Sequence, residues 1–155
     1  MTEPSLEPTA ATLARRWFGH GPALRPADAD GIGVDIAFTE SETGRRLAWV
    51  EGGDSLGQDL AVAILTATGS DPFNVRFGFD GLRVLTQDVP PALLPELLRL
   101  SVLQTVSGDA RVREVLDVRM EPLNPGERRW RVDVELRTVL GDVLRLSLGE
   151  VDAHG

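Results

Sequence analysis

The 155-residue chain contains no cysteine, no tyrosine and no lysine, and histidine occurs only twice, at His20 and His154. Without cysteine there are no disulfides, no thiol nucleophile and no thiolate metal site. His20 lies in the N-terminal leader and His154 one residue from the end, where neither is expected to sit in the rigid pocket that a histidine-dependent triad or a multi-histidine metal centre requires. Apolar runs are short and interrupted, so no segment reads as a bilayer span. Residues 1–13 carry acids and prolines where a secretory signal would carry a basic start and an apolar run, and the chain reads as soluble and cytosolic. A net charge of -8 disfavours non-specific binding to nucleic acid, which depends on cationic contacts to phosphate.

All sixteen basic residues are arginine. With the abundance of Ala, Leu, Val, Gly and Asp, this matches the usage of a GC-rich bacterial genome, an association rather than a physical deduction. Arginine also suits contacts to carboxylates, whether in solvated salt bridges or against acidic neighbours. A hydrophobic content of 42% suffices for one domain with a core.

Residues 1–30 are rich in Pro, Ala, Gly and acids and read as a leader, either mobile with one helical turn or docking through Trp17 and Phe18. Residues 31–155 read as a single domain. Ile32, Val34, Ile36 and Phe38 alternate with small or polar residues, the pattern of a half-buried strand. Thr43-Gly44 marks a turn, and 47–50 returns as the second strand of a hairpin. Asp54 or Ser55 is placed to cap a helix whose apolar positions are Leu56, Leu60, Ala63, Ile64 and Ala67.

The segment 68–80 carries Phe73, Phe77 and Phe79 among glycine and proline, more aromatic area than a solvated loop holds unless it packs on its own domain or on a partner. Pro90-Pro91 opens a second helix with Leu93, Leu94, Leu97, Leu98, Val102 and Val106 on one face; Pro95 delays its regular part, and Ser107-Gly108 ends it. The remainder is strand-like. Val112, Leu116, Val118 and Met120 lead to a turn at 121–127. Trp130, Val132, Val134 and Leu136 then alternate with charged residues, and Leu144, Leu146 and Leu148 follow Gly141-Asp142. The expected fold class is α+β, with two or three helices packed on one face of a largely antiparallel sheet.

No cofactor is implied. Gly31-Ile32-Gly33 and Gly52-Gly53 lack the residues of a phosphate cradle or a dinucleotide fingerprint and read as turns. Carboxylates alone can hydrolyse a glycoside. The candidates are Glu51 with Asp54, Asp80, Glu96, Asp109 with Glu114, and Asp133 with Glu135. Asp133 and Glu135 alternate with apolar Val132 and Val134 and read as a solvated strand face. No acid sits in an apolar run that would raise its pKa for general-acid work.

The order of helix, Gly-Ser-Asp-Pro-Phe-Asn-Val-Arg-Phe-Gly loop, helix, Arg-Val strand and amphipathic hairpin resembles the baseplate-wedge or sheath-initiator family. That family belongs to contractile phage tails, type-six-like secretion systems and extracellular injection particles. The matching positions are Asp59-Leu60-Ala61, Ile64-Leu65, Gly69, Phe73-Asn74, Phe77-Gly78 and Asp109-Ala110-Arg111-Val112. They fall within 53–151. Where the family has an acid-Pro-Arg motif this chain has Ala110, and the leader has no counterpart in the pattern.

The resemblance implies a structural, non-enzymatic subunit of a phage-tail-like particle. Its partners would be sheath protein, wedge proteins and the spike or hub, with six copies per baseplate. It further implies that Asp109 and Arg111 lock the wedge core by ion pairing. Phe73, Phe77, Trp130, Leu144, Leu146 and Leu148 complete the expected partner-binding set, the last three on a terminal strand whose edge a partner strand could extend. Some relatives carry a lysozyme-like label, so a small carboxylate-dependent peptidoglycan hydrolase is the alternative.

Overall fold

The computed structural model describes residues 9–26, 34–81, 83, 89–90, 92–123 and 129–152. Ile32, Pro91, residues 124–128 of the expected turn, and His154 lie outside them, as do 1–8 and 27–33 of the expected leader and its junction. The architecture is α+β: three helices and nine strands, all paired antiparallel, among the described residues. Contacts divide the chain into two compact units, 1–56 and 57–155.

In the first unit, α1 (Ala10–Phe18) is longer than the single turn expected. Thr9 caps it by accepting the Thr12 amide, and the Gly19 amide closes its other end on the Arg15 carbonyl. Phe18 is buried. Three short antiparallel pairs follow: β1 (His20–Pro22) with β6 (Trp49–Glu51), β2 (Leu24–Pro26) with β3 (Val34–Ile36), and β4 (Phe38–Ser41) with β5 (Gly44–Leu47).

Their meeting point is a closed ring of backbone hydrogen bonds. The Ala23 amide donates to Ala48, Ala48 to Ala37, and Ala37 back to Ala23, at 2.8–3.0 Å. Three strand segments thus bend at an alanine and exchange partners there, so the expected hairpin becomes one of three arms. The strand expected to be half-buried is instead exposed at Val34, Ile36 and Phe38. Both alternating positions of β3 and β4 face solvent, because neither side of these short arms is covered.

Helix α2 (Gly53–Leu65) starts one residue before the expected caps. Gly52 precedes it with φ +62°, a conformation glycine adopts without steric cost, and its carbonyl accepts the Leu56 amide. Asp54 therefore lies in the first turn, where a carboxylate suits the positive end of the helix dipole.

In the second unit, α3 (Leu94–Ser107) begins at Leu94, with Pro95 in its first turn; Pro90 precedes the helix instead of opening it. Leu94, Leu98, Val102 and Val106, at spacings of four, are buried where α3 packs on β7. The sheet has the order β7 (Val112–Pro122), β8 (Arg129–Thr138), β9 (Val143–Asp152). The central strand buries Trp130, Val132, Val134, Leu136 and Thr138, every second residue, as the alternation predicts. Leu116 departs from expectation and is exposed. Register irregularities on β7 between Val112/Glu114 and Val115/Asp117 shift the phase of the pleat, so Val112 and Val118 face inward and Leu116 does not. No helix among the described residues is long and apolar enough to cross a membrane.

Candidate interaction site

The tightest polar cluster in the second unit joins the segment after α3 to α2. Asp109 follows the helix stop at Gly108, and its Oδ1 accepts the Arg111 backbone amide at 2.9 Å, bending the chain into β7. The Arg111 guanidinium then grips the same carboxylate bidentately, Nε to Oδ1 at 2.9 Å and one Nη to Oδ2 at 2.6 Å. Its other Nη donates to Asp59 Oδ2 on α2 at 2.7 Å. The Val139 amide donates to the Arg111 carbonyl, tying in the turn between β8 and β9.

Side-chain exposures of 25% for Arg111 and 20% for Asp109 put this pair in partly desolvated surroundings, where a fork–fork contact is stronger than on an open surface. The Arg111 hydrogen bonds hold the Asp109 carboxyl below the ordinary aspartate range, against the opposing effect of burial. Asp109 raises the Arg111 pKa in turn, chiefly by the same hydrogen bonds. Ala110 at the centre leaves the turn to these polar contacts in place of a proline ring.

The aromatic loop divides its three phenylalanines. Phe79 is buried and its strand-like bridge to Ala67 closes the loop, with Phe79 N–H donating to Thr66 and Thr68 N–H to Phe79. Phe77 is half-buried. Phe73 is 98% exposed at the tip, on a turn fixed by its own amide donating to Asp71 Oδ1 at 2.8 Å. Of the remaining expected contact residues, Trp130 and Leu148 are buried in the core, so a partner reaches them only through backbone. Leu144 and Leu146 are half-buried on β9. That strand pairs with β8 along one edge and with no described strand along the other.

The carboxylates proposed for catalysis are for the most part engaged by arginine. Glu51 meets Arg15, Asp80 meets Arg83, Glu96 meets Arg99, Glu114 meets Arg137 and Glu135 meets Arg145. Asp109 and Glu96 are both shifted downward, opposite to the shift a general acid needs. Among the described residues no group of three potential metal ligands comes together.

No family model and no curated protein matches the chain. Among solved structures, a protein from Geobacter sulfurreducens, itself assigned provisionally as a tail lysozyme, is similar at 19% identity and a TM-score of 0.55. The match covers 66% of this chain and 91% of that one. The two share a fold. The contacts of Asp59 with Arg111 and the exposure of Phe73 at the loop tip were beyond sequence reasoning about those positions; the spacing of Asp59 and Arg111 carries no signal of their contact.

Proposed function

We propose that the protein is a structural, non-enzymatic subunit of a phage-tail-like contractile particle, seated in its baseplate and nucleating the sheath. The observation that carries the reading is the fold shared with a tail protein across 91% of that protein's length. The arrangement of the site supports it. Arg111 braces helix α2, the end of α3 and the β8–β9 turn into one rigid block, which suits a part that transmits load. The free edge of β9 offers ten residues of backbone to a strand of the sheath protein. Phe73 offers an apolar knob to a wedge or spike protein. Assembly would take place in the cytoplasm, with six copies per baseplate.

A second reading, a carboxylate-dependent peptidoglycan hydrolase of the same machine, is favoured by the label of the Geobacter neighbour and by the acidic lining of the groove on the outer sheet face. It requires two carboxyls facing each other across a cleft at glycosidase spacing.

The test is affinity purification of the tagged protein from its native cells, with mass spectrometry and electron microscopy of the eluate. Sheath, wedge and spike proteins co-purifying with short tubular particles are expected. Recovery of the protein alone, from cells without such particles, would overturn the structural reading. Cell-wall hydrolysis by the purified protein, lost on neutralising a groove carboxylate, would replace it with the second.

A further inference from the structure

The alanine ring of the first unit has an apolar side. Each of Ala23, Ala37 and Ala48 separates the innermost rungs of two arms, and those rungs are Pro22 with Trp49, Leu24 with Ile36, and Phe38 with Leu47. Residues two apart in extended chain share a face, as do residues directly opposite across a rung. The six side chains therefore gather on one face of the junction, and the alanines point to the other. Contacts between diagonal neighbours agree with this: the His20 and Trp49 rings lie 6.1 Å apart, and the Arg45 guanidinium sits 4.5 Å over the Phe38 ring.

Water reaches the apolar face. Trp49 is 61% exposed, Pro22, Ile36 and Phe38 are also exposed, and Leu24 and Leu47 are half-buried. Asp35, Thr39 and Arg46 take the opposite side, so the alternation is that of half-buried strands whose apolar side stands open. Two-stranded ribbons are marginal in water unless a layer covers one face. Val34, Ile36, Phe38 and Trp49 alone leave roughly 400 Å² of largely apolar surface exposed, the size that marks an interaction site. A stable protein interface takes about 800 Å² from each partner, somewhat over half of it apolar, and with Pro22 and the two leucines this face supplies that apolar share.

The edge of the face is charged but balanced. Glu40 pairs with Arg45 at 3.8 Å at the outer end of one arm, and Glu51 with Arg15 at 3.4 Å at the end of another. A nucleic acid or an acidic lipid surface calls for a basic excess, whereas this rim carries one acid for each arginine in a chain of net charge -8. Such a rim is complementary to itself, because a two-fold rotation can set the arginines of one copy beside the acids of the other. We propose that the Pro22–Trp49, Leu24–Ile36 and Phe38–Leu47 face docks a second copy of the chain, each copy covering the open side of the other's arms. The inference stands apart from the tail-particle reading: its test uses the purified chain alone, and its failure would leave that reading untouched.

The experiment is sedimentation of the full chain over a range of about 1 to about 200 μM, where a reversible monomer–dimer equilibrium is expected. Ile36→Asp and Trp49→Asp, on separate arms, should each raise the dissociation constant by about tenfold or more, because a charge would be buried at the centre of the contact. Both should keep the circular dichroism of the wild type, since the two residues face water in the single chain. Leu116→Ser, at an exposed leucine of the second unit, should leave association unchanged. Raising salt from about 50 to about 500 mM should not disperse the dimer, because apolar burial is not screened. A monomer at every concentration, association untouched by both face substitutions, or equal loss in Leu116→Ser would overturn the proposal. So would flotation of the chain with phosphatidylcholine vesicles that Ile36→Asp abolishes, which would give the face to a lipid surface.

Discussion

Arg111 and Asp59, fifty-two residues apart in sequence, meet at 2.7 Å, and the same guanidinium holds Asp109 bidentately. One side chain thus fixes the start of β7 against α2. Replacing Arg111 with alanine removes its charge-assisted hydrogen bonds to Asp109 and Asp59 and leaves the Asp109 carboxylate partly desolvated without its counter-ion. A loss of about 2 kcal/mol in chemical denaturation is expected. Arg111→Lys keeps the charge and loses the fork, so about half that loss should return. Full rescue by lysine would show that charge alone matters.

The same pair makes stability pH-dependent. The folded-state pKa of Asp109 is depressed, first by the side-chain hydrogen bonds of Arg111. Its contribution is therefore fully present above the unfolded value of about 3.9 and is lost as pH falls through the lower folded value. The stability gap between wild type and Asp109→Asn, measured by urea unfolding, should be constant from about pH 7 to pH 5 and shrink below about pH 4. A gap unchanged at low pH would assign the effect to hydrogen-bond geometry and not to ionisation.

Two positions in the aromatic loop should differ sharply in their response. A Cβ at Gly78 would stand 2.5 Å from the Thr66 carbonyl, and the residue has φ +110°, so Gly78→Ala is both strained and crowded by backbone. Thermal unfolding should register a loss of roughly 2 kcal/mol or more. Phe73→Ser, at a fully exposed tip, should stay within about 0.5 kcal/mol of wild type. A large loss at Phe73 would mean that the ring packs on the domain in solution.

Thr138 is 0% exposed, and its Oγ1 has no hydrogen-bond partner among the described residues. Thr138→Val keeps the shape and removes a buried hydroxyl that returns nothing. The variant should be more stable by about 1 kcal/mol in urea. Destabilisation would reveal a partner for the hydroxyl.

Prolines placed singly from Leu144 to Leu148 should alternate in effect. Successive amides of an edge strand point in turn toward β8 and toward the open edge. Substitutions on the β8 side should cost about 3 kcal/mol by breaking the ladder. Those on the open side should leave the domain folded and block addition of a partner strand. Normal sheath assembly by every folded variant would remove the edge of β9 from the partner surface.

Much of the second unit is legible in the sequence, because its signals are periodic. The alternation from Trp130 to Leu136 sets which residues of β8 are buried, and Leu94, Leu98, Val102 and Val106 mark the packed face of α3. In these segments burial follows from backbone geometry, two residues per strand repeat and 3.6 per helical turn, so local order determines the face. The same logic misplaces Leu116, since a bulge changes phase without a signature in composition. It also misplaces Val34, Ile36 and Phe38. Their alternation is genuine, but whether an alternating strand is covered depends on what packs against it, and here the three arms around Ala23, Ala37 and Ala48 leave both faces open.

The sequence by itself determined the fold class and the absence of thiol chemistry, while Asp109 and Arg111 stood out only through the family resemblance. Only the tertiary structure decided that Asp59 completes their cluster, that Phe79 goes inside while Phe73 stands out, and that Val34, Ile36 and Phe38 are left exposed. Each of those outcomes is fixed by which distant segment arrives alongside, and pairings between segments far apart in the chain leave no mark on local spacing.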